Sequence, residues 1–354
     1  MSKHNPKNTR IKRKYLVWLV DAKGLSEAST DKAAAAISAY EVFLERKDFR
    51  AFNSERARAF KRDLAKQKNT KTGAPLSAST IGSTLRDLKA FFHWLADQPG
   101  YKSKISHSDA DYFSPDRRSE AVRRSGLWKP HPSPEQARRL VRAMPNETVL
   151  NRRDRALVAF LFLTGSREGA AISLQLGHVD LANRCVHFDA REVNTKFAKS
   201  FTTAFFPIGQ DVERIVQEWV SELRNDHLFS GADPLFPKTR VGTGKSRQFE
   251  ALGIARERWA SPSSAANIFK KAFKDAGLPP FSPHRVRDTI AELASNFCRS
   301  PEDYKAWSQN MGHEDVLTTL TSYGSIAPGR QMEVMAKFRK RGSEKFEEGF
   351  EVIE

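Results

Sequence analysis

Five side chains in the C-terminal two-thirds of the chain have types and spacings suited to phosphate chemistry. Arg167 stands in Thr164-Gly165-Ser166-Arg167, and His284 and Arg287 in Ser282-Pro283-His284-Arg285-Val286-Arg287; His313 follows Gly312, and Tyr323 comes ten residues later. Guanidinium groups grip two oxygens of a phosphodiester at once. Imidazoles move protons near neutrality. A phenol becomes a nucleophile beside cations or a base that ease its ionisation. Two arginines, two histidines and a tyrosine are therefore the parts of a DNA strand-breaking reaction that needs no metal and no cofactor.

Singly, each of these residues is common at a helix end, so their value depends on the elements that position them. Ser166 reads as the cap of a helix over residues 168–176, which sets Arg167 beside free backbone amides where an anion is favoured. Ser282 and Pro283 read as cap and first-turn proline, so that His284 and Arg287, three residues apart, share the first turns and one face of a helix. Gly312 is suited to a left-handed helix end that turns the chain into His313.

The chain has 354 residues, and its 59 Lys and Arg against 42 Asp and Glu give a formal charge of +17, which makes a polyanion the expected partner. Nucleic acid is the first choice. A membrane is not expected, because no segment approaches the roughly 20 apolar residues of a spanning helix and the N-terminus lacks a signal peptide's apolar core. A soluble, cytoplasmic protein is the expectation. Cys185 and Cys298 offer neither a disulfide framework nor a zinc spacing and read as buried thiols. A hydrophobic fraction of 39% with 24 Phe indicates packed domains and argues against a disordered basic chain.

Residues 1–14 carry Lys3, Lys7, Arg10, Lys12, Arg13 and Lys14 without an acid and read as a basic tail or phosphate-tracking arm. From 15 to 98 the apolar periodicity is helical, with Ala33, Ile37, Tyr40 and Leu44 on one stripe and Ile81, Leu85, Leu88, Phe92 and Leu95 on another. Ser79 is the expected cap of that second helix. Residues 113–132 are polar and proline-punctuated and form the expected interdomain linker, whose Arg117, Arg118, Arg123 and Arg124 can follow a phosphate backbone. A helix opens at Ser133-Pro134-Glu135 and ends near Met144; the apolar run inside 154–163 is core. Residues 184–189 and 202–208 alternate as two strands joined through Lys196 and Lys199. Helical patterns cover 212–223, 264–276, 283–297 and 301–310, while 233–250 reads as a mobile loop. The acidic terminus over 341–354 fits either a solvated tail or an amphipathic segment that docks on a neighbouring subunit.

In this order and at these separations, the motifs over residues 133–325 resemble the catalytic domain of the tyrosine recombinases, the phage-integrase type of site-specific integrase. The resemblance implies a mainly α chain with a small antiparallel β-sheet. A helical core DNA-binding domain over 15–112 would be followed by a mixed α/β catalytic domain over 133–340. It implies that Arg167 and Arg287 clamp the scissile phosphate, that His284 handles protons, and that His313 hydrogen-bonds the phosphate. Lys196 would protonate the leaving 5′ oxygen, with Lys199 a close competitor, and Tyr323 would form a 3′-phosphotyrosyl intermediate. The covalent link conserves bond energy, so rejoining needs no ATP. The implied partner is a double-stranded recombination site, bound by a homotetramer on two paired sites, with accessory DNA-bending proteins as further candidates. Two positions depart from the family pattern. Ala170 occupies the place of an acidic residue, and the usual spacing from the last histidine would put the nucleophile on Ser322 in place of Tyr323. A type IB topoisomerase-like relaxase would use the same residues, and a DNA-binding protein that has lost catalysis would keep the scaffold.

Overall fold

The computed structural model describes residues 5–70, 72–114, 130–195, 199–243 and 248–313, together with 329, 332, 333 and 335–337. The chain divides into two compact units, residues 1–125 and 126–354, and the division falls within the stretch expected to be linker. Among the described residues no helix is long and apolar enough to cross a membrane.

The first unit contains α1 (Pro6–Asp21), α2 (Glu27–Phe43), α3 (Ser54–Lys66), α4 (Ala78–Ala96) and the short α5 (His107–Ala110). The stretch expected to be a basic tail is helical from Pro6. The Asn5 side chain accepts from the Lys7 and Asn8 amides, and Ile11, Tyr15 and Leu19 form a buried stripe at four-residue spacing. Lys7, Arg10, Lys12, Arg13 and Lys14 around its first turns hide that stripe from a reading of composition. The cap of α4 is Ser77, which accepts from the Thr80 amide, and not Ser79. The centre of this core is aromatic: Tyr40 meets Phe60, Phe92 and Phe113 edge-on, with ring centroids 5.1, 5.2 and 5.4 Å away. Such pairs add about 0.5–1.5 kcal/mol beyond the area they bury, which explains why so many Phe residues suit a small helical unit.

In the second unit, α6 (Pro134–Ala143) opens with a reciprocal Ser133–Gln136 capping box and a first-turn proline. Next comes α7 (Val149–Thr164), capped by Thr148; from Ala156 to Thr164 every residue is buried, as in a helix enclosed on all sides. The helix expected over 168–176 is only one turn, α8 (Glu168–Ala171). A three-stranded antiparallel sheet follows: β1 (Val179–Asp180), β2 (Cys185–Phe188) and β3 (Phe201–Ala204). Cys185 opposes Ala204 and Phe188 opposes Phe201. Both expected strands are shorter than their alternating patterns, and β1 is additional. Then come α9 (Gln210–Asn225), β4 (Thr239–Thr243), β5 (Phe249–Ile254), α10 (Ser263–Asp275), α11 (Arg285–Phe297) and α12 (Pro301–Asn310).

The segment expected to be a mobile loop contains β4 and leads into β5, its antiparallel partner, with a bulge at Arg240/Val241. This ribbon leaves Val241 60% and Phe249 85% exposed. With no face buried, no alternation of polarity is needed, and the sequence carries none.

Candidate active site

Arg287 ties together three segments that are distant in sequence. Its Nη1 donates to the Gly165 carbonyl at 2.5 Å, and its Nη2 donates to the Met311 carbonyl at 2.8 Å and to His313 Nε2 at 2.5 Å. Each acceptor is presented by a helix end. Gly165, at φ +60°, closes α7 in the left-handed conformation. Gly312, at φ +68°, closes α12 in the same way. Its amide donates to Gln309, and that of His313 to Ser308, which is the Schellman pattern that turns the chain sharply. The left-handed end expected at Gly312 is therefore present. Asn310 fixes α12 onto β3: its side chain accepts from the Ala204 amide at 2.7 Å and donates to the Ala204 carbonyl at 2.9 Å. No short-range pattern could announce this pair, since 106 residues separate its members.

Ser282 does not cap α11. The Arg285 and Val286 amides donate to Ser282 and Pro283 carbonyls in a tight lead-in turn, and His284 is the residue that caps the helix. Arg287 consequently lies in the first helical turn and is only 6% exposed. Ser166 likewise is no cap. It is buried, accepts from the Thr164 hydroxyl at 3.0 Å, and leaves Arg167 in extended conformation at the head of α8. The Arg167 guanidinium is half-buried, and no hydrogen bond or ion pair holds it among the described residues.

Arg167, Arg287 and Lys199 line one cavity, with the stacked Phe188 and Phe201 rings and with Ala170. No carboxylate is among its described lining residues. The consequence is electrostatic stress. Burial pushes the Arg287 pKa down to about 10, and the charge of Arg167 pushes it the same way against the weaker pull of Asp288. Arg167 is also lowered by burial, with Glu168 opposing. Guanidinium groups remain charged even so, and a cavity that concentrates such charges suits a dianionic or developing phosphorane oxyanion.

Burial, then Arg287, Arg167 and His284, hold the His313 pKa down to about 4. Because Arg287 can only donate, His313 Nε2 must accept, so the neutral imidazole carries its proton on Nδ1. His284 keeps an exposed edge and is not part of the cavity wall. Burial of the rest of its ring lowers its pKa, Asp288 and Glu168 raise it, and Arg287 and Arg285 lower it further. Glu168 therefore acts on both Arg167 and His284 from two positions before Ala170, which itself is buried in the cavity wall. Thr195 is a wall residue that motif reasoning did not single out; its hydroxyl is buried with no hydrogen-bond partner among the described residues.

The structure thus brings Arg167, Arg287, His313 and Lys199 together, with His284 at the adjoining helix head. Lys199, the competitor for the acid role, lies in the wall with the arginines. Lys196 and Tyr323 lie outside the described residues, as do Arg117, Arg118, Arg123 and Arg124 and the acidic terminus.

The chain belongs to the phage integrase family, whose model matches residues 133–329, more than half of its length. Tyrosine recombinase XerD of Neisseria meningitidis serogroup B is 27% identical over 186 residues, 52% of this chain and 55% of the relative. Tyrosine recombinase XerC of Bifidobacterium longum is 25% identical over 173 residues, 49% of this chain and 43% of the relative. The chain therefore spans about half the length of these curated relatives. The crystal structure of XerH site-specific recombinase in a post-cleavage complex with palindromic difH substrate matches with a TM-score of 0.59 and 16% identity, covering 94% of this chain and 85% of that one. That likeness shows a shared fold, mainly helical with small antiparallel sheets.

Proposed function

We propose that this protein is a site-specific DNA recombinase that cuts and rejoins strands through a 3′-phosphotyrosyl intermediate. The observation that carries the reading is the cavity in which Arg167 and Arg287 face each other beside Lys199 with no carboxylate among the described lining residues. Such an arrangement is unfavourable when empty and favourable around phosphate. Family membership and the names of the relatives support the same reading.

In the proposed reaction the Tyr323 oxygen forms a bond to phosphorus and the bond from phosphorus to the 5′ oxygen breaks. Arg167 and Arg287 bind the non-bridging oxygens, and a lysine gives the leaving oxygen its proton. Lys196 is the family's expectation for that role, and Lys199 is the amine in the cavity wall. His284, held neutral by its lowered pKa, can take the phenol's proton. His313 has its Nε2 committed to Arg287, so any bond it gives the phosphate comes from Nδ1. The link to Tyr323 retains the bond energy, and attack by a 5′ hydroxyl reverses the steps.

The proposed partner is a double-stranded recombination site, with a homotetramer assembled on two paired sites, and the proposed setting is the cytoplasm. A nicked substrate whose short released strand diffuses away tests the reading, because it traps the covalent adduct. Wild type should accumulate the adduct on a particular site, and Tyr323→Phe should bind DNA without forming it. An adduct that persists in Tyr323→Phe and disappears in Ser322→Ala would move the nucleophile to Ser322. Trapping on every sequence alike would indicate a relaxase, and trapping on none a DNA-binding scaffold.

A further inference from the structure

On the face of the three-stranded sheet opposite the core, three donors of different chemistry converge. Asp180 of β1 lies directly across from Cys185 of β2, and His187 comes two residues later on the same face of β2. One ligand atom from each lies within 4.8 Å of both others. Cys185 Sγ and His187 Nε2 are 3.7 Å apart. A tetrahedral zinc ion with ordinary bond lengths would hold sulfur and nitrogen about 3.6 Å apart. The Asp180 carboxylate supplies the third donor, within 4.8 Å of both. From the geometry we propose that Asp180, Cys185 and His187 form a binding site for a divalent transition-metal ion, zinc above all, with a fourth position open to water.

Three further features fit this assignment. The His187 ring is oriented by Thr202, opposite it on β3, through an Nδ1 to Oγ1 contact of 3.0 Å. If Nδ1 carries the proton and donates it, the Nε2 lone pair is left facing Cys185, the usual outer support of a histidine ligand. The carboxylate is held by Asn183, whose amide donates to one oxygen at 2.9 Å and whose side chain donates to the other at 2.7 Å, leaving lone pairs on both. One thiolate and one carboxylate also balance a divalent charge, and the mixed sulfur, nitrogen and oxygen set suits zinc or cobalt better than magnesium or calcium. His187 is exposed and Asp180 half-buried, so an ion can enter from solvent.

Neither cysteine sits in a metal-binding spacing in the sequence, because these ligands are assembled across a strand pair. The site lies beside the β1–β2 turn, at the end of the sheet away from the β2–β3 connection that carries Lys196 and Lys199, so a bound ion would pin β1 to β2 at that turn. It is independent of the recombinase reading.

Cobalt(II) titrated into the metal-stripped, reduced full-length protein is the test. Wild type should develop a thiolate-to-cobalt charge-transfer band and tetrahedral visible bands that saturate at one equivalent, and zinc should displace them. Cys298→Ser should retain the bands, Cys185→Ser should lose the charge-transfer band, and His187→Ala and Asp180→Asn should weaken binding at least about tenfold. Thr202→Val, which removes only the ring's support, should weaken it by about 10–100-fold. His187 is exposed, so its variant should fold, and circular dichroism checks each protein. Absence of a charge-transfer band in wild type, or its survival in Cys185→Ser, would overturn the proposal and leave the sulfur–imidazole contact as a hydrogen bond.

Discussion

Replacing Arg287 and Arg167 in turn by alanine should produce the same loss of cleavage with different effects on stability. Arg287 makes three bonds from a charged donor, to Gly165, Met311 and His313. Each is worth about 1.5–3 kcal/mol. Against this stands the cost of keeping the charge buried beside Arg167, expressed in a pKa lowered to about 10 and equivalent to roughly 3 kcal/mol. Arg287→Ala should therefore cost a net ~1.5–6 kcal/mol, which spans the range for removing one member of a buried charged network. Arg167 has the opposite balance, with a half-buried charge and no holding bond among the described residues. Arg167→Ala should change stability by less than about 0.5 kcal/mol or raise it. Both variants lose a cation aimed at the transition state and should cleave about 10²–10³-fold more slowly. Urea unfolding of the whole chain gives the first quantity, and single-turnover trapping on a nicked substrate gives the second. An Arg287→Ala protein as stable as wild type would refute the three-way bracket; cleavage within tenfold of wild type in both would refute the clamp.

A substrate with sulfur in place of the leaving 5′ oxygen should restore cleavage to whichever of Lys196→Ala and Lys199→Ala removes the proton donor, because a thiolate leaves without one. Rescue of neither would take both lysines out of that role. With the His313 pKa lowered to about 4, the unfolded chain binds a proton at this position before the folded chain does. Its contribution is full above pH ~6.5 and is lost as pH falls toward ~4. His313→Gln should flatten the fall of the urea midpoint across that window, and an unchanged slope would remove His313 as its source. Gly312→Ala should cost more than about 1 kcal/mol, since φ is +68° and a Cβ would lie 3.0 Å from the Phe201 ring. Equal thermal midpoints for the two proteins would contradict the left-handed helix end.

Local chemistry explains what could be read from the sequence. Ser133 with Gln136 and Ser300 with Asp303 form capping boxes, each with a proline in the first turn, and the helices they open begin where the pattern places them. The apolar run within α7 had to be core, because no surface helix buries eight consecutive residues. The failures have several causes, some local and some set by partners distant in sequence. Ser282 and Ser166 have the composition of caps, yet an irregular turn and a buried hydroxyl pair take their places. The β4–β5 ribbon has no buried face to impose a period. Ile11 belongs to the first unit's core, although the cations around it resemble a tail. For the site, residue types gave the arginines and histidines, but only the fold shows Lys199 in the cavity, Arg287 bonded to both helix ends and Thr195 with a buried hydroxyl that has no partner among the described residues.

Ala170 acquires a meaning in this geometry that it lacked as a departure from a pattern. A carboxylate at this buried wall position would lie among guanidinium groups and compensate them before any substrate arrived. With alanine there, the negative field comes from Glu168, outside the wall, and it acts on Arg167 and His284 without filling the cavity. The repulsion that lowers Arg287 therefore persists in the unliganded state. Arg287 tolerates it because three of its contacts, to Gly165, Met311 and His313, keep the group from swinging away toward solvent, while its remaining N–H groups stay available to a phosphate. Arg167, which has no such bonds among the described residues, adds a charge beside it that no local bond holds in place. One arginine thus fixes the shape of the site by holding two helix ends as well as carrying a charge, and the other adds a charge that no local bond fixes. In the proposed reaction the stress between them would be relieved by the charge of the scissile phosphate.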